Sequence, residues 1–420
     1  MPDFSDQNLR ANEFFLARQP ILDREQSLVA YELLFRDAAS GPADVGDDLA
    51  ATAAVIAHAS ELGMENVIGE SLGFVNADAT VLMSDFVNFL PADQVVLEVL
   101  ETVKVTPQLV QRVTELVAEG FVFALDDVVA DSEDVQKLLP LVKIIKIDVM
   151  GMAPETLVRL AARFGQAGKT LLAEKVETQE QFQHCLELGF HYFQGYYFAR
   201  PGILSGKKLL PSQLTIMQLM SLLMTDAETR EIEACFKQDV SLGLTLLRLV
   251  NTPAFGLARR IDSLGQALVL LGRRQLQRWL QILLYADPGR RAFTSPLLVL
   301  AATRGKLLEL IAENLHPGQR AVADTAFTVG IMSLMDTLFG SPMDAILQQI
   351  SVAEAVSAAL LDRSGLYGDM LKLAEYVERI EEARPLLLPI LRKLGLSIEQ
   401  LYQLEVAAFE WSNSVSNAAR

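Results

Sequence analysis

This chain is poor in the residues that build disulfide scaffolds and zinc sites. It has two cysteines and four histidines in 420 residues. Cys185 and Cys235 lie far apart with no CxxC pair, which excludes a disulfide-stapled fold and a zinc module and fits a reducing compartment. The opening Met1-Pro2-Asp3-Phe4-Ser5-Asp6 is polar and acidic, unlike a signal peptide. No apolar run approaches the roughly 18–20 residues of a membrane span without charged or polar interruption. Base is scarce too: 36 Lys and Arg stand against 53 Asp and Glu. That balance counts against nucleic acid as a partner, because such binding needs a basic face. The sequence therefore reads as a cytoplasmic chain with no membrane contact.

What is present is apolar residue in quantity, 51% of the chain, enough for two domains. The acid is confined to one half. Residues 1–204 carry 14 basic and 31 acidic residues, whereas residues 205–420 carry 22 of each. The acidic half is a solvated surface or a set of carboxylates gathered around cations.

In that half, short runs rich in Val, Ile, Phe and Leu alternate with amphipathic stretches. Strands are expected at Leu28–Phe35, Gly73–Asn76, Val95–Val99, Phe121–Leu125, Ile144–Ile147, Thr170–Ala173 and Tyr192–Gln194. Helices are expected at Leu49–Leu62, Gln108–Ala118, Thr156–Phe164 and Gln179–Leu188. Strictly alternating strands and helices imply parallel pairing, and seven such units imply a compact α/β fold of the TIM-like (β/α) barrel type. The strands end on polar residues: Glu98 with Glu101 just after it, Asp126 and Asp127, Lys146 with Asp148, Glu174, Asn76 and Gln194, while Glu32 lies within the first run. Strand ends converge on one mouth of such a barrel. Any one of these acids could simply face water, but crowded carboxylates repel unless cations neutralise them. Oxygen ligands without clustered His or Cys select hard ions, Mg²⁺ or Mn²⁺. Two such ions suit phosphodiester hydrolysis, with Lys146 placed to stabilise phosphate charge.

The order Gln19-Pro20-Ile21, Glu32-Leu33-Leu34-Phe35-Arg36, Val75-Asn76, Leu97-Glu98-Val99-Leu100-Glu101, Leu125-Asp126-Asp127, Lys146-Ile147-Asp148, Ala173-Glu174-Lys175-Val176-Glu177 and Gln194-Gly195 resembles the EAL domains, the cyclic-di-GMP phosphodiesterases. The resemblance implies Glu32, Asn76, Glu98 and Asp126 as metal ligands, with Asp127 and Glu174 close to the metals and Lys146 near the attacking water. It implies contact of Gln19 and Arg36 with the dinucleotide, and a supporting role for Gln194 there. Four positions depart from the family pattern: Leu33 replaces Ala, Asp37 stands where Trp is usual, the loop Val128–Asp134 has no Gly, and Lys175 replaces a Gly.

Beyond Pro201-Gly202 the spacing is helical throughout. Helices are expected at Leu214–Met224, Glu228–Lys237, Leu242–Val250, Leu264–Leu271, Arg274–Leu284, Pro296–Leu315, Ala326–Phe339, Ser351–Leu361, Gly368–Arg379, Arg384–Leu394 and Ser397–Trp411. The stretch from Gln238 through Asn251-Thr252-Pro253-Ala254-Phe255 to Ile261-Asp262-Ser263-Leu264-Gly265 and Leu271-Gly272 resembles the HDOD domain, a helical relative of HD-type phosphohydrolases. Its counterpart of a His-Asp pair, Gly330–Asp336, holds no His. That resemblance implies a non-enzymatic module that binds other signalling proteins. An Arg cluster, Arg259, Arg260, Arg273, Arg274 and Arg278, is a solvated face or an anion site. The expected organisation is a barrel over 1–204, an HDOD helical domain over 205–395 and a helical tail over 396–420, with a homodimer among its expected assemblies. Two functions follow: a cyclic-di-GMP signalling scaffold with a weak or silent barrel site, which the altered loop and Lys175 favour, or an active Mg²⁺- or Mn²⁺-dependent phosphodiesterase that opens the dinucleotide to linear pGpG.

Overall fold

The computed structural model describes residues 14–37, 64–195, 211–251, 261, 263–285, 296–348, 350 and 352–417. The expected helix Leu49–Leu62, the boundary around Pro201–Gly206, and Arg259, Arg260 and Asp262 lie outside the described residues. The rest divides into two compact units, one drawn from Met1–Gly202, Thr294–Val299 and Lys372–Arg420, the other from Ile203–Phe293 and Leu300–Leu371.

The first unit is a closed eight-stranded barrel. Its strands are β1 Phe14–Leu22, β2 Leu28–Asp37, β3 Leu72–Ala77, β4 Val95–Val99, β5 Val122–Leu125, β6 Ile144–Asp148, β7 Thr170–Glu174 and β8 Tyr192–Phe193. Seven coincide with expected runs. The eighth, β1, corrects the reading of an all-parallel sheet: it runs antiparallel to both β2 and β8. A parallel crossover needs a dozen or more residues, and only Asp23–Ser27 separates β1 from β2. Those residues form a tight turn, with the Asp23 carboxylate accepting from the amides of Glu25 at 3.0 Å and Ser27 at 2.7 Å. The strand itself is hard to read because Arg18, Gln19 and Pro20 interrupt its apolar run.

The barrel strands are buried on both faces, as in β4, where all five residues are inaccessible. This is why they read as apolar runs rather than alternating ones. The outer face packs on the surrounding helices. The inner face is closed by Ile21, Ala30, Phe74, Val96, Ala124, Ile144 and Leu172. Short-range signals place the helices. Thr106 caps Pro107–Ala118 by accepting from Leu109, with Pro107 in the first turn. Thr178 and Gln181 form a capping box that opens Gln179–Glu187.

The C-terminal helix Ile398–Asn417 packs on β1 and on the short helix Met64–Ile68. Its anchor is Arg18. The guanidinium lies between the rings of Tyr31 and Phe409, 4.4 and 4.0 Å from their centroids. It also donates to the Val67 carbonyl, Ser412 Oγ and Asn413 Oδ1. Arg18 thus points outward from β1, while Gln19, its neighbour, points to the interior.

The second unit is helical. The expected pair Leu264–Leu271 and Arg274–Leu284 is present as two helices meeting at a kink at Gly272 within the stretch Leu264–Leu283, whereas the expected helix Ala326–Phe339 is divided between two helices. Gly272 has φ 70° and ψ 162°, a conformation open to glycine and strained for other residues. Asn251 closes the loop of the distinctive stretch: its amide donates to the Ile261 carbonyl and its oxygen accepts from the Ile261 amide. One stretch, Arg320–Phe339, is long and apolar enough to cross a membrane by composition, with 67% of its most apolar window buried. It is two helices, Arg320–Met332 and Met335–Phe339, broken at Ser333-Leu334.

Glu405 on the C-terminal helix is 2% exposed, and neither carboxylate oxygen has a hydrogen-bond partner. Burial pushes its pKa well above the carboxylate range, so the folded chain holds it protonated. An unfolded glutamate ionises near pH 4.3. The burial is therefore tolerated fully below that pH, and stability falls as pH rises from there toward the folded pKa. Glu405→Gln is expected to match the parent near pH ~4 and to exceed it by on the order of 1–3 kcal/mol near pH ~7, by urea denaturation at both pH values.

Candidate functional site

The polar residues of the barrel mouth are set by strand period. Two positions beyond the apolar layer of Ala30, Phe74, Val96, Ala124, Ile144 and Leu172 stand Glu32, Asn76, Glu98, Asp126, Lys146 and Glu174. On the reversed β1 the same step runs backwards, from Ile21 to Gln19. A side-chain period of two returns each of these residues to the same face. Register aligns Gln19 with Glu32, Asn76 with Glu98 and Asp148 with Glu174.

Lys146 is at the centre. It has no exposed surface, and its Nζ lies 2.6 Å from Glu98 Oε1, 2.8 Å from Asp126 Oδ1, 2.9 Å from Glu174 Oε1 and 3.5 Å from Glu32 Oε2. Burial opposes its charge, but the carboxylates of Glu174, Glu32, Glu98 and Asp126 outweigh it and hold the ammonium well above the usual lysine range. Four carboxylates around one ammonium leave an excess of negative charge. Burial pushes Glu98 well above its ordinary value, against the pull of Lys146 and with the repulsion of Glu32 and Asp126. Burial likewise raises Glu174 to about 8. Glu98 Oε2 and Glu174 Oε2 are buried without hydrogen-bond partners.

Gln194 closes the seam between the last strand and the first two. Its Nε2 donates to Gln19 Oε1 at 2.7 Å and to Glu32 Oε2 at 2.6 Å. The next residue, Gly195, has φ 147°, and a Cβ there would fall 2.3 Å from the Val176 amide nitrogen. Only glycine lets the two backbones meet there. Arg36 continues β2, but its side chain lies outside the described residues.

A second acidic group adjoins the first. Ligand atoms of Glu101, Asp126 and Asp127 lie within 4.8 Å of one another, and among the described residues this is the one such group of metal-ligating side chains. Asp126 belongs both to this group and to the shell around Lys146. Glu101 was visible in the sequence only as an acid just past a strand end. Its convergence with Asp127 depends on the turn after β5, where Asp127 has φ 43°. Burial and the neighbouring Asp126 raise the Asp127 carboxyl above its usual value.

The departures from the family pattern have structural form. Lys175 sits at φ 53°, the left-handed region that a glycine would occupy without strain. Its ammonium pairs with Asp148 at 2.6 Å and lies 3.9 Å from Asp127. Its charge is thus directed to the rim rather than to the ring around Lys146. The loop Val128–Asp134 is held at several points. Val128 is buried, Asp131 pairs with Arg163 at 2.9 Å, and Ser132 caps the helix Glu133–Leu138.

An all-oxygen donor set with unpaired buried carboxylate oxygens fits a hard divalent cation. In the helical unit, the segment Gly330–Asp336 instead carries a buried hydrogen bond from Arg304 Nη1 to Ser333 Oγ at 2.9 Å.

Residues 4–201 match the EAL domain family and residues 210–335 match the HDOD domain family. The chain is 31% identical over 414 residues to the Bacillus subtilis (strain 168) protein YuxH, covering 96% of this chain and 99% of that one. It is 31% identical over 411 residues to the cyclic di-GMP phosphodiesterase CdgJ of Vibrio cholerae serotype O1, covering 96% and 93%. Among solved structures, an EAL domain protein from Listeria monocytogenes EGD-e aligns with a TM-score of 0.38 at 20% identity, over 47% of this chain and 93% of that one.

Replacing Lys146 with Met leaves the facing carboxylates without their ammonium. The variant is expected to lose about 3–5 kcal/mol of stability in metal-free buffer, the usual cost of stranding a buried charge. Mn²⁺ is expected to restore part of that loss. Urea denaturation with and without Mn²⁺ measures both; a variant as stable as the parent in chelator would refute the charge balance described.

Proposed function

This chain belongs to the family of two-domain proteins in which an EAL domain precedes an HDOD domain, and on that premise we propose that its barrel mouth binds cyclic-di-GMP and hydrolyses it to linear pGpG. The observation that carries this reading is the surplus of buried carboxylate around Lys146, with the Glu98 and Glu174 oxygens left unpaired. Glu32, Asn76, Glu98 and Asp126 would hold one divalent ion, Mg²⁺ or Mn²⁺, and Glu101, Asp126 and Asp127 would help to hold a second. Such ions supply Lewis-acid polarisation of a phosphoryl oxygen and lower the pKa of water.

The chain's own residues have distinct tasks in this reading. Lys146 gathers the carboxylates of four strands into one ring and directs positive charge to the place where a phosphate's negative charge develops. Glu174, whose Oε1 lies 2.9 Å from Lys146 and whose Oε2 is unpaired, is placed to orient a water at the ring. Gln194 fixes the orientation of Glu32 and Gln19 at once. Gln19, opposite Glu32 in register on β1, and Arg36, four residues along β2 from Glu32, would contact the dinucleotide. The helical unit transmits the state of the barrel to other signalling proteins.

A second reading has its own observation. The loop Val128–Asp134 lacks glycine and is pinned by Asp131–Arg163, so the barrel could bind the dinucleotide without turning it over and serve as a ligand-responsive scaffold. Incubation of the full chain with cyclic-di-GMP and Mn²⁺ or Mg²⁺, followed by chromatography of the products, separates the two. The expected result is pGpG at a rate on the order of 1 s⁻¹, abolished by Glu32→Ala and by chelator. Calorimetric binding with no pGpG above the Glu32→Ala background would establish the scaffold instead.

A further inference from the structure

The Arg cluster of the helical unit finds no use in the barrel chemistry. Arg274 and Arg278 lie one turn apart on Leu264–Leu283 and line a cavity of about 440 Å³ within the second unit, walled on its apolar side by Met224, Val352 and Val356. That volume is within the range of small-molecule sites, about 300–1,000 Å³. From this cavity we infer a second ligand site in this protein, for a small phosphorylated metabolite of mononucleotide size.

Three features of the wall specify the chemistry. Arg278 is rigidly presented: its guanidinium stacks on Phe327 at 4.1 Å and pairs with the buried Glu309, a carboxylate that Lys306 also engages at 2.9 Å. Its Nε nonetheless has no hydrogen-bond acceptor. Arg274 is partly exposed and pairs through Nε at 2.7 Å with Asp324, a carboxylate that also lines the cavity and that a bound phosphate would have to share the guanidinium with. Two guanidinium groups on one wall are suited to phosphate, which they bind in fixed geometry. Gln281 is the third feature. It is 1% exposed, and its Nε2 donates to Thr328 Oγ1 at 3.2 Å, while its Oε1 is buried without a partner. Leaving a buried acceptor unpaired is costly; Gln281 is one of the cavity's lining residues, and a ligand N–H or O–H that displaced the side chains now covering its Oε1 would meet that need. A phosphate for the arginines, a donor for Gln281 and a flat or apolar body against Met224, Val352 and Val356 together describe a nucleoside monophosphate better than a bare inorganic anion. The site shares no residue with the barrel.

Calorimetry of the full chain with GMP, with guanosine and inorganic phosphate as part-ligands, tests the assignment. Saturable GMP binding is expected, with both part-ligands weaker by about tenfold or more. Arg274→Gln removes one guanidinium. Ala353→Phe, at an exposed position on the cavity wall, blocks the space without touching a charge. Each is expected to weaken GMP by about tenfold or more while leaving pGpG production from cyclic-di-GMP unchanged; Gln19→Ala in the barrel is expected to leave GMP binding intact. No saturable binding at millimolar GMP, inorganic phosphate binding as tightly as GMP, or binding unaltered in both cavity variants would each overturn the proposal.

Discussion

One buried ammonium holds the barrel mouth together. Lys146 reaches carboxylates from β2, β4 and β7 and from the residue after β5, all within 3.5 Å. Without it, four carboxylates delivered by separate strands would face one another with no ammonium between them. With it, their repulsion is reduced but not cancelled. Burial first, and then the repulsion of neighbouring carboxylates, holds Glu98 and Glu174 above the ordinary carboxylate range against the pull of Lys146. The same ring that Lys146 stabilises leaves Glu98 Oε2 and Glu174 Oε2 buried without hydrogen-bond partners.

Position in the barrel is secured from outside as well. β1 carries Gln19 inward and Arg18 outward, and Arg18 is clamped between Tyr31 and Phe409. The reversed first strand lets Gln19 face Glu32 directly in register, and Gln194 joins both across the closing seam. The last helix of the chain therefore braces the strand that carries Gln19 to the barrel mouth.

In the helical unit, the segment Gly330–Asp336 carries a buried hydrogen bond from Arg304 to Ser333. Elsewhere in that unit, Arg274 and Arg278 line a cavity, while Arg273 pairs with Asp226.

Much of this was legible in the sequence. The strands β2 to β8 are apolar runs because both faces are buried, and the terminal acids are conspicuous against them. The helices announce themselves by spacing and by caps such as Thr106-Pro107 and Thr178–Gln181. Local chemistry therefore pointed to strands β2 to β8, to a barrel and to the polar residues at its mouth, while the resemblance to EAL domains singled out Glu32, Asn76, Glu98 and Asp126 among them. Only the tertiary structure decided the rest. The direction of β1 depends on the five-residue turn that follows it. The convergence of four acids on one lysine depends on barrel closure. The pairing of Lys175 with Asp148 rather than with the ring depends on a left-handed backbone at Lys175. The anchoring of Arg18 depends on a helix nearly four hundred residues away. These are contacts between residues remote in sequence, and no local pattern carries them, because their energy exists only once the chain has brought them together.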